Sequence, residues 1–378
     1  MPKLRFKGFT DDWEQRKFGD VGSVSMCKRI FKDETTDEGD IPFFKIGTFG
    51  GVPDAYISRN LFEDYKAKYP YPNKGDILLS ASGTIGRMVE YNGEEAYFQD
   101  SNIVWLSHDH SIDNRFLKVL YGIVKWDGIE GSTIRRLYND NFLKTKFQMP
   151  SKEEQEKIGS YFADFDKIIT LYQRKCGELQ KVKKSMLQKM FPKKGEKVPE
   201  IRFAGFTGAW EQRKLGDCCK EFKSGSFIRA SDIKVDGEYP VFGGNGLRGY
   251  TSEYNHDGEF ALIGRQGALC GNMNYSTGKA YFTEHAVAVQ ANDSADTKFM
   301  YYLLGKMNLG QYSDQSAQPG LAVGKLVKMD ELFPSVDEQK QIGKHLATVD
   351  SLITLHQRKH DTLKEIKKYM LQNMFPKK

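Results

Sequence analysis

Two aspartates and a lysine have a spacing that a metal-dependent nuclease could use. Asp54 follows Pro53, and Asp64 is followed two residues later by Lys66. Two such carboxylates can hold Mg²⁺ while a lysine steadies the attacking water. However, the pattern is permissive, residues 64–68 (DYKAK) are typical of a solvent-facing helix, and the second half of the chain has no counterpart. A stand-alone nuclease therefore stays as the alternative interpretation, and we predict no catalytic residue.

A second pattern with chemical meaning is the glycine-rich segment GNGLRG at residues 244–249. It matches the spacing of a dinucleotide-binding loop, but the residues that follow, TSEYNHDGE, do not predict the helix whose N-terminus would hold a phosphate. The chain also lacks a Walker A sequence and any Pro-Pro dipeptide. These absences argue against the usual phosphate loop and against the Asn/Asp-Pro-Pro-aromatic motif of amino methyltransferases.

The five cysteines and the overall composition indicate an ordinary globular protein without a metal site. Cys27, Cys176, Cys218, Cys219 and Cys270 lack paired C-x-x-C spacing, so we expect reduced, structural thiols and no metal. The sequence has no apolar run of about 18 residues and no charged-then-apolar leader. We therefore expect a cytoplasmic protein.

Polar and basic side chains that can contact phosphates and base edges occur in loops of both halves. The net charge of +6 is moderate, so the distribution of the basic residues is more informative than their number. Two parallel sets of such side chains indicate a protein that reads two separate places on DNA. The predicted DNA-binding residues are Lys28, Arg29, Lys32, Ser82, Thr84, Arg87, Arg135, Arg136, Lys223, Arg229, Asn245, Arg248, Arg265, Gln266 and Gln318.

Two internal repeats show how these residues are positioned. Residues 2–20 match residues 199–217 at 13 of 19 positions, including the octapeptides WEQRKFGD and WEQRKLGD. Residues 150–194 match residues 334–378 at 25 of 45 positions. The segments between the copies differ in length and sequence. The chain therefore has the order A-x-B-A-y-B, in which a common framework holds two different middles.

The B repeats predict two long helices that pack together. Apolar residues recur with a 4-3-4-3 spacing, and an N-terminal Pro-Ser and a C-terminal FPKK bound each copy. A helix of nearly forty residues, roughly 60 Å long, needs a partner, and the other copy is the obvious one. The predicted helix–helix seam consists of Ile158, Phe162, Phe165, Ile169, Leu179, Ile342, Leu346, Val349, Ile353 and Leu363.

The middles predict mixed α+β domains built mainly on strands. Segments 75–80, 96–107, 259–264 and 280–290 carry the β-branched and aromatic residues of strands, and short helices are expected near 113–126 and 296–307. The predicted architecture is α/β (mixed α+β), with two similar strand-rich domains, two long antiparallel helices and a pseudo-twofold repeat. The expected bounds are 1–149, 150–194, 195–333 and 334–378, with framework segments 2–20 and 199–217.

The arrangement of repeats and motifs resembles a known family. The openings Arg5–Asp20 and Arg202–Asp217, the helix starts Pro150–Gly159 and Pro334–Gly343, and YPVFGGNGLRGYTSEY (Tyr239–Tyr254) are similar to the specificity subunit of type I restriction-modification enzymes. The likeness covers essentially the whole chain. It implies two target-recognition domains that each read half of an interrupted, asymmetric DNA site, and conserved helices that separate them.

The same resemblance implies partners and a division of labour. Modification (methyltransferase) subunits, two of them by expectation, would dock on the helices, and restriction/translocase subunits would join through the complex. S-adenosylmethionine, ATP and Mg²⁺ would belong to the partner subunits, so this chain itself would bind no cofactor. The base-reading residues are not transferred by any motif. A nuclease using Asp54, Asp64 and Lys66, and a coiled-coil adaptor without DNA binding, remain as alternatives.

Overall fold

The repeated WEQRK segment forms one strand of a two-stranded antiparallel ribbon in both halves. The computed structural model describes residues 1–129, 131, 135–313 and 320–376. Strand β1 (Glu14–Lys17) pairs with β9 (Lys146–Met149), and β10 (Glu211–Lys214) pairs with β17 (Asp330–Phe333). Both ribbons have the same register. Each ribbon joins the start of a half to the strand that leads into its long helix.

The chain divides into two compact units, and the division falls within the long helices. The first unit comprises Met1–Leu171 and His360–Lys378, and the second comprises Tyr172–Lys359. The long helices are α4 (Lys152–Lys189) and α7 (Val336–Met374). Each unit therefore contains one strand-rich domain and a segment of both long helices.

The first unit has two sheets besides its ribbon. One has four antiparallel strands in the order β2-β8-β5-β6, and the other has the order β4-β3-β7 with β3 and β7 parallel. The bounds are β2 Gly22–Ser25, β3 Ile41–Phe44, β4 Tyr56–Ile57, α1 Arg59–Lys68, β5 Ile77–Ser80, β6 Met88–Glu90, β7 Tyr97–Phe98, β8 Ile103–His108, α2 Asn114–Ile123 and α3 Asn139–Lys144.

The second unit joins the corresponding strands into one six-stranded sheet of order β11-β16-β14-β15-β12-β13. Its long strand β15 pairs with β14 at one part of its length and with β12 at another, which links regions that are separate sheets in the first unit. The bounds are β11 Cys219–Ser224, β12 Tyr239–Gly243, β13 Gly246–Thr251, β14 His256–Gly264, β15 Met273–Phe282, β16 Ala286–Ala291, α5 Thr297–Lys306 and α6 Val323–Leu326.

Two segments that resemble single strands in the sequence are each broken by a turn. Residues 96–107 form β7 and β8, and the turn between them places Ser101 at a φ of 51°. Residues 280–290 form the end of β15 and most of β16, and Ala286 N donates to Thr283 O at 3.0 Å across the turn. The polar residues at both breaks have ordinary turn chemistry. Because apolar residues lie on both sides of each turn, the sequence pattern predicted one continuous strand in each segment.

A buried carboxylate in the first turn of α4 anchors the N-terminal segment. Glu154 accepts two bonds from Arg5, at 2.7 Å to Nε and 2.8 Å to Nη2, and a third from Trp13 Nε1 at 3.2 Å. The hydrogen bond and the charge of Glu154 raise the pKa of Arg5. A planar guanidinium and a carboxylate match in this two-bond geometry, which fixes direction as well as distance. The residues that surround the tryptophan in WEQRK are thereby held against the helix.

The second unit repeats this anchor with one difference. Arg202 donates to Glu338 through Nε and Nη2, both at 2.7 Å. Among the described residues, however, the buried Nε1 of Trp210 has no partner. The serine before each long helix caps it, because the Oγ atoms of Ser151 and Ser335 accept from main-chain nitrogens at 3.4 Å.

In the first unit the N-terminal segment also contacts the end of α7. Leu4 N donates to Asn373 O at 2.9 Å. The Trp13 ring lies with its centroid 5.6 Å from that of Phe375. This contact explains why the opening segment is repeated, since it closes each unit onto the end of a long helix.

Equivalent contacts close the second unit. Ile201 N donates to Lys189 O at 2.9 Å, and Trp210 contacts Phe191 with ring centroids 5.9 Å apart. Phe191 is the repeat copy of Phe375, and Trp210 is the copy of Trp13. The same framework is therefore built twice from copied residues.

The two long helices pack antiparallel. In the second unit Cys176 contacts Gln357, and Lys183 Nζ lies 2.6 Å from Asp350 Oδ1, so residue numbers rise on one helix as they fall on the other. In the first unit Lys367 pairs with Asp166, which is the repeat copy of the same ion pair. The lysine that interrupts the apolar spacing at position 183 is therefore an ion-pair partner.

The predicted seam residues are all buried or partly buried. The buried seam residues are Ile158, Phe162, Ile342, Leu346 and Val349. The partly buried seam residues are Phe165, Ile169, Leu179, Ile353 and Leu363. Burial is deepest at the helix starts, because there the helices also pack on the framework cores. Farther along each helix the seam residues are only partly buried.

Candidate nucleic-acid interface

The loop after β5 and the segment before α3 are joined by main-chain bonds in the first unit. Leu137 N donates to Ala81 O at 2.8 Å, and Gly83 N donates to Arg135 O at 2.9 Å. Arg136 lies opposite Ser82 in an isolated antiparallel bridge. The two arginines and the loop are far apart in the sequence, yet they form one surface.

Within this loop the predicted DNA-binding residues have different environments. Ser82 is buried, and its Oγ donates to Asn102 Oδ1 at 2.7 Å. Arg87 Nη1 donates to Phe49 O at 3.0 Å, which holds the end of the loop to a neighbouring turn. Thr84 is exposed. Ser82 therefore shapes the loop from within. Arg87 is exposed and holds the end of the loop, and Thr84 faces solvent together with Arg135 and Arg136.

The basic residues near the start of the first domain adjoin the same loops. Arg29 Nε lies 2.9 Å from Asp100 Oδ2, two residues before the asparagine that binds Ser82. Lys28 Nζ lies 5.0 Å from the centre of the Tyr69 ring, a cation–π contact. Lys32 is exposed. Arg29 thus connects the N-terminal basic residues to the loop surface.

A cavity of about 630 Å³ opens beside Arg136. Its wall includes Tyr138, Asn139 and Lys144, none of which the sequence pattern selected. Tyr138 is also among the exposed large side chains of the first unit. The segment RRLYNDNFLK at residues 135–144 combines basic, amide and aromatic residues, and that composition was the available signal.

In the second unit the equivalent loop carries Arg265 and Gln266. Leu321 N donates to Arg265 O at 2.9 Å, and Gln266 lies opposite Gly320 in an isolated antiparallel bridge. These are the repeat copies of the contacts at Ala81 and Ser82. Gln266 is exposed and Arg265 is partly exposed. Gln318 lies outside the described residues.

The β12–β13 hairpin brings Asn245 and Arg248 to the same surface. Both side chains are exposed, and Gly244 at the hairpin tip packs against the main chain next to Arg265. A Cβ on Gly264 would lie 2.5 Å from Gly244 O, so this close approach requires glycine. The glycine-rich segment at 244–249 is therefore a hairpin, with no helix after it to bind a dinucleotide.

Lys223 and Arg229 lie on the strand and turn at the start of the second domain. Lys223 is exposed, and its Nζ lies 3.4 Å from Glu221 Oε1. Arg229 lines a cavity of about 730 Å³ together with Phe227, Lys234 and Tyr281. Tyr281 Oη donates to Phe227 O at 2.9 Å, which holds the turn in place.

The two units expose an arginine and a phenylalanine at equivalent turns in opposite order. Residues 29–31 are Arg-Ile-Phe before the 3-10 turn Lys32–Glu34, and residues 227–229 are Phe-Ile-Arg before the 3-10 turn Ala230–Asp232. Phe31 is 56% exposed and Phe227 is 69% exposed. Each of these phenylalanines lies two residues from the exposed arginine of the same turn. The pattern of basic residues predicted the arginines as DNA contacts and not these phenylalanines.

The residues of the nuclease-like pattern are occupied elsewhere. Asp54 Oδ1 lies 2.8 Å from Lys45 Nζ, Asp64 pairs with Lys68, and Lys66 Nζ lies 4.9 Å from the centre of the Tyr71 ring. Within the described ranges no group of three or more His, Cys, Asp or Glu side chains is placed to hold a metal ion. The geometry therefore does not assemble this pattern into an active site.

All five cysteines are free thiols in structural positions. Burial raises the pKa of Cys27 and of Cys219 to about 12, so both stay protonated and unreactive near neutral pH. Among the helices of the described residues, none is long and apolar enough to cross a membrane.

Comparison with known proteins identifies the family. The family described as "Type I restriction modification DNA specificity domain" matches residues 10–181 and 208–365, which is most of the chain. This chain belongs to the type I restriction-modification specificity subunits. Such a subunit recognises the DNA target, and it is the non-catalytic component of its complex.

Individual relatives agree with this assignment. The Escherichia coli type I restriction enzyme EcoprrI specificity subunit is 31% identical over 336 residues, which cover 85% of this chain and 83% of that one. A Haemophilus influenzae protein named putative type I restriction enzyme specificity subunit S.HindORF215P is 58% identical over 151 residues, 40% of this chain and 39% of that one.

The fold is also similar to a solved specificity subunit. The crystal structure of the type I restriction-modification S subunit from M. genitalium matches over 100% of both chains, with a TM-score of 0.73 and 18% sequence identity. Two strand-rich domains and two long helices packed together are therefore the architecture of this specificity subunit.

Proposed function

We propose that this specificity subunit recognises a bipartite, interrupted and asymmetric DNA site, with one half-site for each strand-rich domain. Its first domain would read one half-site through Lys28, Arg29, Lys32, Thr84, Arg135 and Arg136, and its second domain the other half-site through Lys223, Arg229, Asn245, Arg248, Arg265, Gln266 and Gln318. Ser82 and Arg87 would support the first set by holding the loop after β5.

One observation carries this proposal. The main-chain bond from Leu137 to Ala81 is repeated as the bond from Leu321 to Arg265, so both domains present a loop on the same scaffold. The side chains on that scaffold differ, because the bridge joins Ser82 to Arg136 in one domain and Gln266 to Gly320 in the other. Arginine favours guanine and glutamine favours adenine in the major groove. A shared scaffold with different readers is what two unlike half-sites require.

The proposal assigns the chemistry of the complex to other subunits. Two modification subunits would dock on the long helices, where apolar exposed residues recur at the repeat spacing, and restriction/translocase subunits would join through the complex. S-adenosylmethionine, ATP and Mg²⁺ would act in those partners. In this chain the carboxylates of the nuclease-like pattern are held in ion pairs with lysines, which favours recognition over cleavage.

The direct test is to map methylated bases. The full chain is expressed with the modification subunit of the same system, and methylated positions are identified across the genome of the host cell. The expected result is one motif with two different short sequences separated by a fixed number of unspecified base pairs. A continuous motif, or methylation independent of this chain, would contradict the proposal.

Two further assays separate the alternatives. A nuclease would cut duplex DNA when the purified chain alone is supplied with Mg²⁺, and Asp64→Asn would abolish the cutting. A coiled-coil adaptor would show no affinity for duplex DNA in any assembly. The proposed function requires target-dependent binding without cutting by this chain.

A further inference from the structure

The exposed apolar residues of the long helices are arranged in repeat pairs. Within the described residues, seven large apolar side chains of α4 and α7 are exposed, and six of them form three pairs of copied positions. The pairs are Ile168 (42% exposed) with Leu352 (40%), Leu171 (49%) with Leu355 (46%), and Val182 (43%) with Ile366 (42%). The seventh, Tyr369, is 57% exposed, and its copy is Ser185.

Helix geometry places these side chains in one patch in each unit. Ile168 directly precedes the seam residue Ile169, and Ile366 directly precedes Lys367, which pairs with Asp166 of the other helix. In an antiparallel pair, residues that directly precede a seam position project to the same side of both helices. The first helix patch therefore consists of Ile168, Leu171, Ile366 and Tyr369 in the first unit. The second helix patch consists of Leu352, Leu355, Val182 and Ser185 in the second unit.

The two patches match in apolar content except at one position. Three of the four residues in each patch are large and aliphatic, with nearly equal exposure. The fourth is a tyrosine in the first helix patch and a serine in the second. Two nearly equal apolar surfaces suit two copies of one partner, because a second kind of partner would need a different surface.

The rims of the patches differ as well. Asp164 and Lys167 form an ion pair at 3.3 Å beside the first helix patch. Their copies, Thr348 and Ser351, instead donate their hydroxyls to main-chain oxygens of their own helix at 2.9 Å. The second helix patch therefore offers a partner neither a tyrosine nor a pair of charges at this place.

We infer that the two modification subunits bind with unequal affinity and that the first helix patch is occupied first. This inference rests on the proposed docking of modification subunits on the long helices. Tyrosine is among the residues that contribute most to interfaces, because it buries a large rigid ring and its hydroxyl can still bond at the rim. Assembly therefore passes through a species with one modification subunit, held in the first unit.

The experiment titrates the full-length chain with the purified modification subunit and counts bound copies by native mass spectrometry. The expected result is two steps that differ about tenfold in dissociation constant, the effect of one well-placed tyrosine. At a ratio of one to one, hydrogen exchange should protect residues 366–369 and leave residues 182–185 unprotected.

Two substitutions at the position that differs between the patches test the inference. Tyr369→Ser should bring both steps close to the weaker affinity, and Ser185→Tyr should bring both close to the tighter affinity. The ion pair of Asp164 and Lys167 should add little, because both side chains are strongly exposed. Val235→Ser is the matched control, because Val235 is an exposed apolar residue outside the helices. It should leave both steps unchanged. Tyr369 is exposed and Ser185 is partly buried. Circular dichroism of both variants verifies that neither substitution affects folding.

The outcomes distinguish this inference from the proposed function. Two binding steps of equal affinity in the wild type, or unequal steps that persist in both variants, would overturn the inference. The proposed docking site on the helices would still stand. Absence of any binding by the modification subunit would overturn the proposed docking itself, and the inference with it. Protection of residues 182–185 before residues 366–369 would show that the order is the reverse of the one inferred.

Discussion

Tyr172 and His356 are copies of one repeat position, and their ring centroids lie 5.4 Å apart in the second unit. A residue that contacts its own repeat copy marks the centre of an antiparallel helix pair. On either side of that centre, each contact between the helices is repeated with the roles of the two helices reversed. The Nζ of Lys359 also lies 5.7 Å from the centre of the Tyr172 ring. The helix pair of this specificity subunit thus has the design of a homodimer fused into one chain.

Replacement of Arg265 and Gln266 by alanine should relax recognition of one half-site. Both residues belong to the second domain, and each lost base contact should cost about 1–3 kcal/mol of discrimination. Methylation mapping of the double variant should show degeneracy in one half of the motif and an unchanged other half.

The matched control is the pair Arg135→Ala and Arg136→Ala in the first domain. It should relax the opposite half of the motif by a similar amount. If either double variant degraded both halves equally, the assignment of one half-site to each domain would be wrong.

The salt dependence of DNA binding should separate Arg229 from Phe227. An arginine that contacts phosphate releases a counterion, so Arg229→Ala should lower the slope of log affinity against log salt concentration by about 1. Phe227→Ala removes an apolar contact and should weaken binding without changing that slope. Fluorescence anisotropy at four salt concentrations, with the methyltransferase complex and a duplex carrying the mapped site, measures both. A reduced slope for Phe227→Ala would argue against an apolar contact.

The seam should tolerate a charge poorly at the helix starts and better near the centre. Leu346 is fully buried, so Leu346→Asp should lower the free energy of unfolding by several kcal/mol, because the carboxylate would be buried without a partner. Ile353 is only partly buried, so Ile353→Asp should cost clearly less. Urea unfolding of both variants gives the comparison. Equal losses would show that the burial gradient along the seam has no energetic consequence.

The stability of the second unit should depend on the charge of Glu331. Desolvation raises the pKa of Glu331, and the nearby Lys306 offsets this only in part. The folded unit then holds a proton more tightly than the unfolded chain, so the free energy of unfolding falls as pH rises from 4.5 through the raised pKa. Glu331→Gln should therefore increase stability at pH 7.

The pH profile provides the control for this prediction. The advantage of Glu331→Gln should shrink as pH falls toward 4.5 and disappear below it, because Glu331 is then protonated in both the folded and the unfolded state. The exposed Glu211→Gln on the paired strand should change stability little at either pH. Urea unfolding at several pH values tests both variants. A Glu331→Gln variant less stable than wild type at pH 7 would mean that the carboxylate makes a net favourable contact.

The helices and framework could be predicted because repeats and apolar spacing are local patterns. The 4-3 spacing from Ile158 onward predicted α4 and its seam without any knowledge of tertiary contacts. The bond between Arg5 and Glu154 joins residues 149 positions apart, and nothing in either local sequence predicts it. The inward orientation of Ser82 could not be predicted either. The local sequence around a loop serine is the same whether its side chain faces solvent or bonds to Asn102.

The fused-homodimer design predicts that residues 1–194 form a symmetric dimer. In the first unit, Trp13 packs on Phe375, Leu4 bonds to Asn373, and Asp166 pairs with Lys367 of α7. A fragment lacking α7 can remake these contacts with a second copy of itself, because the end of α4 carries the corresponding residues. These residues are Phe191, Lys189 (whose contribution is its main-chain oxygen) and Lys183.

Such a dimer would carry two copies of the first domain related by an exact twofold axis. With the modification subunit it should methylate a symmetric interrupted site, made of the first half-sequence and its inverse complement. Light scattering of the fragment and methylation mapping after co-expression measure both consequences. Phe191→Ala is an informative variant, since Phe191 would replace Phe375 against Trp13 and its loss should weaken the dimer. A monomeric fragment, or a site that stays asymmetric, would refute the fused-homodimer design.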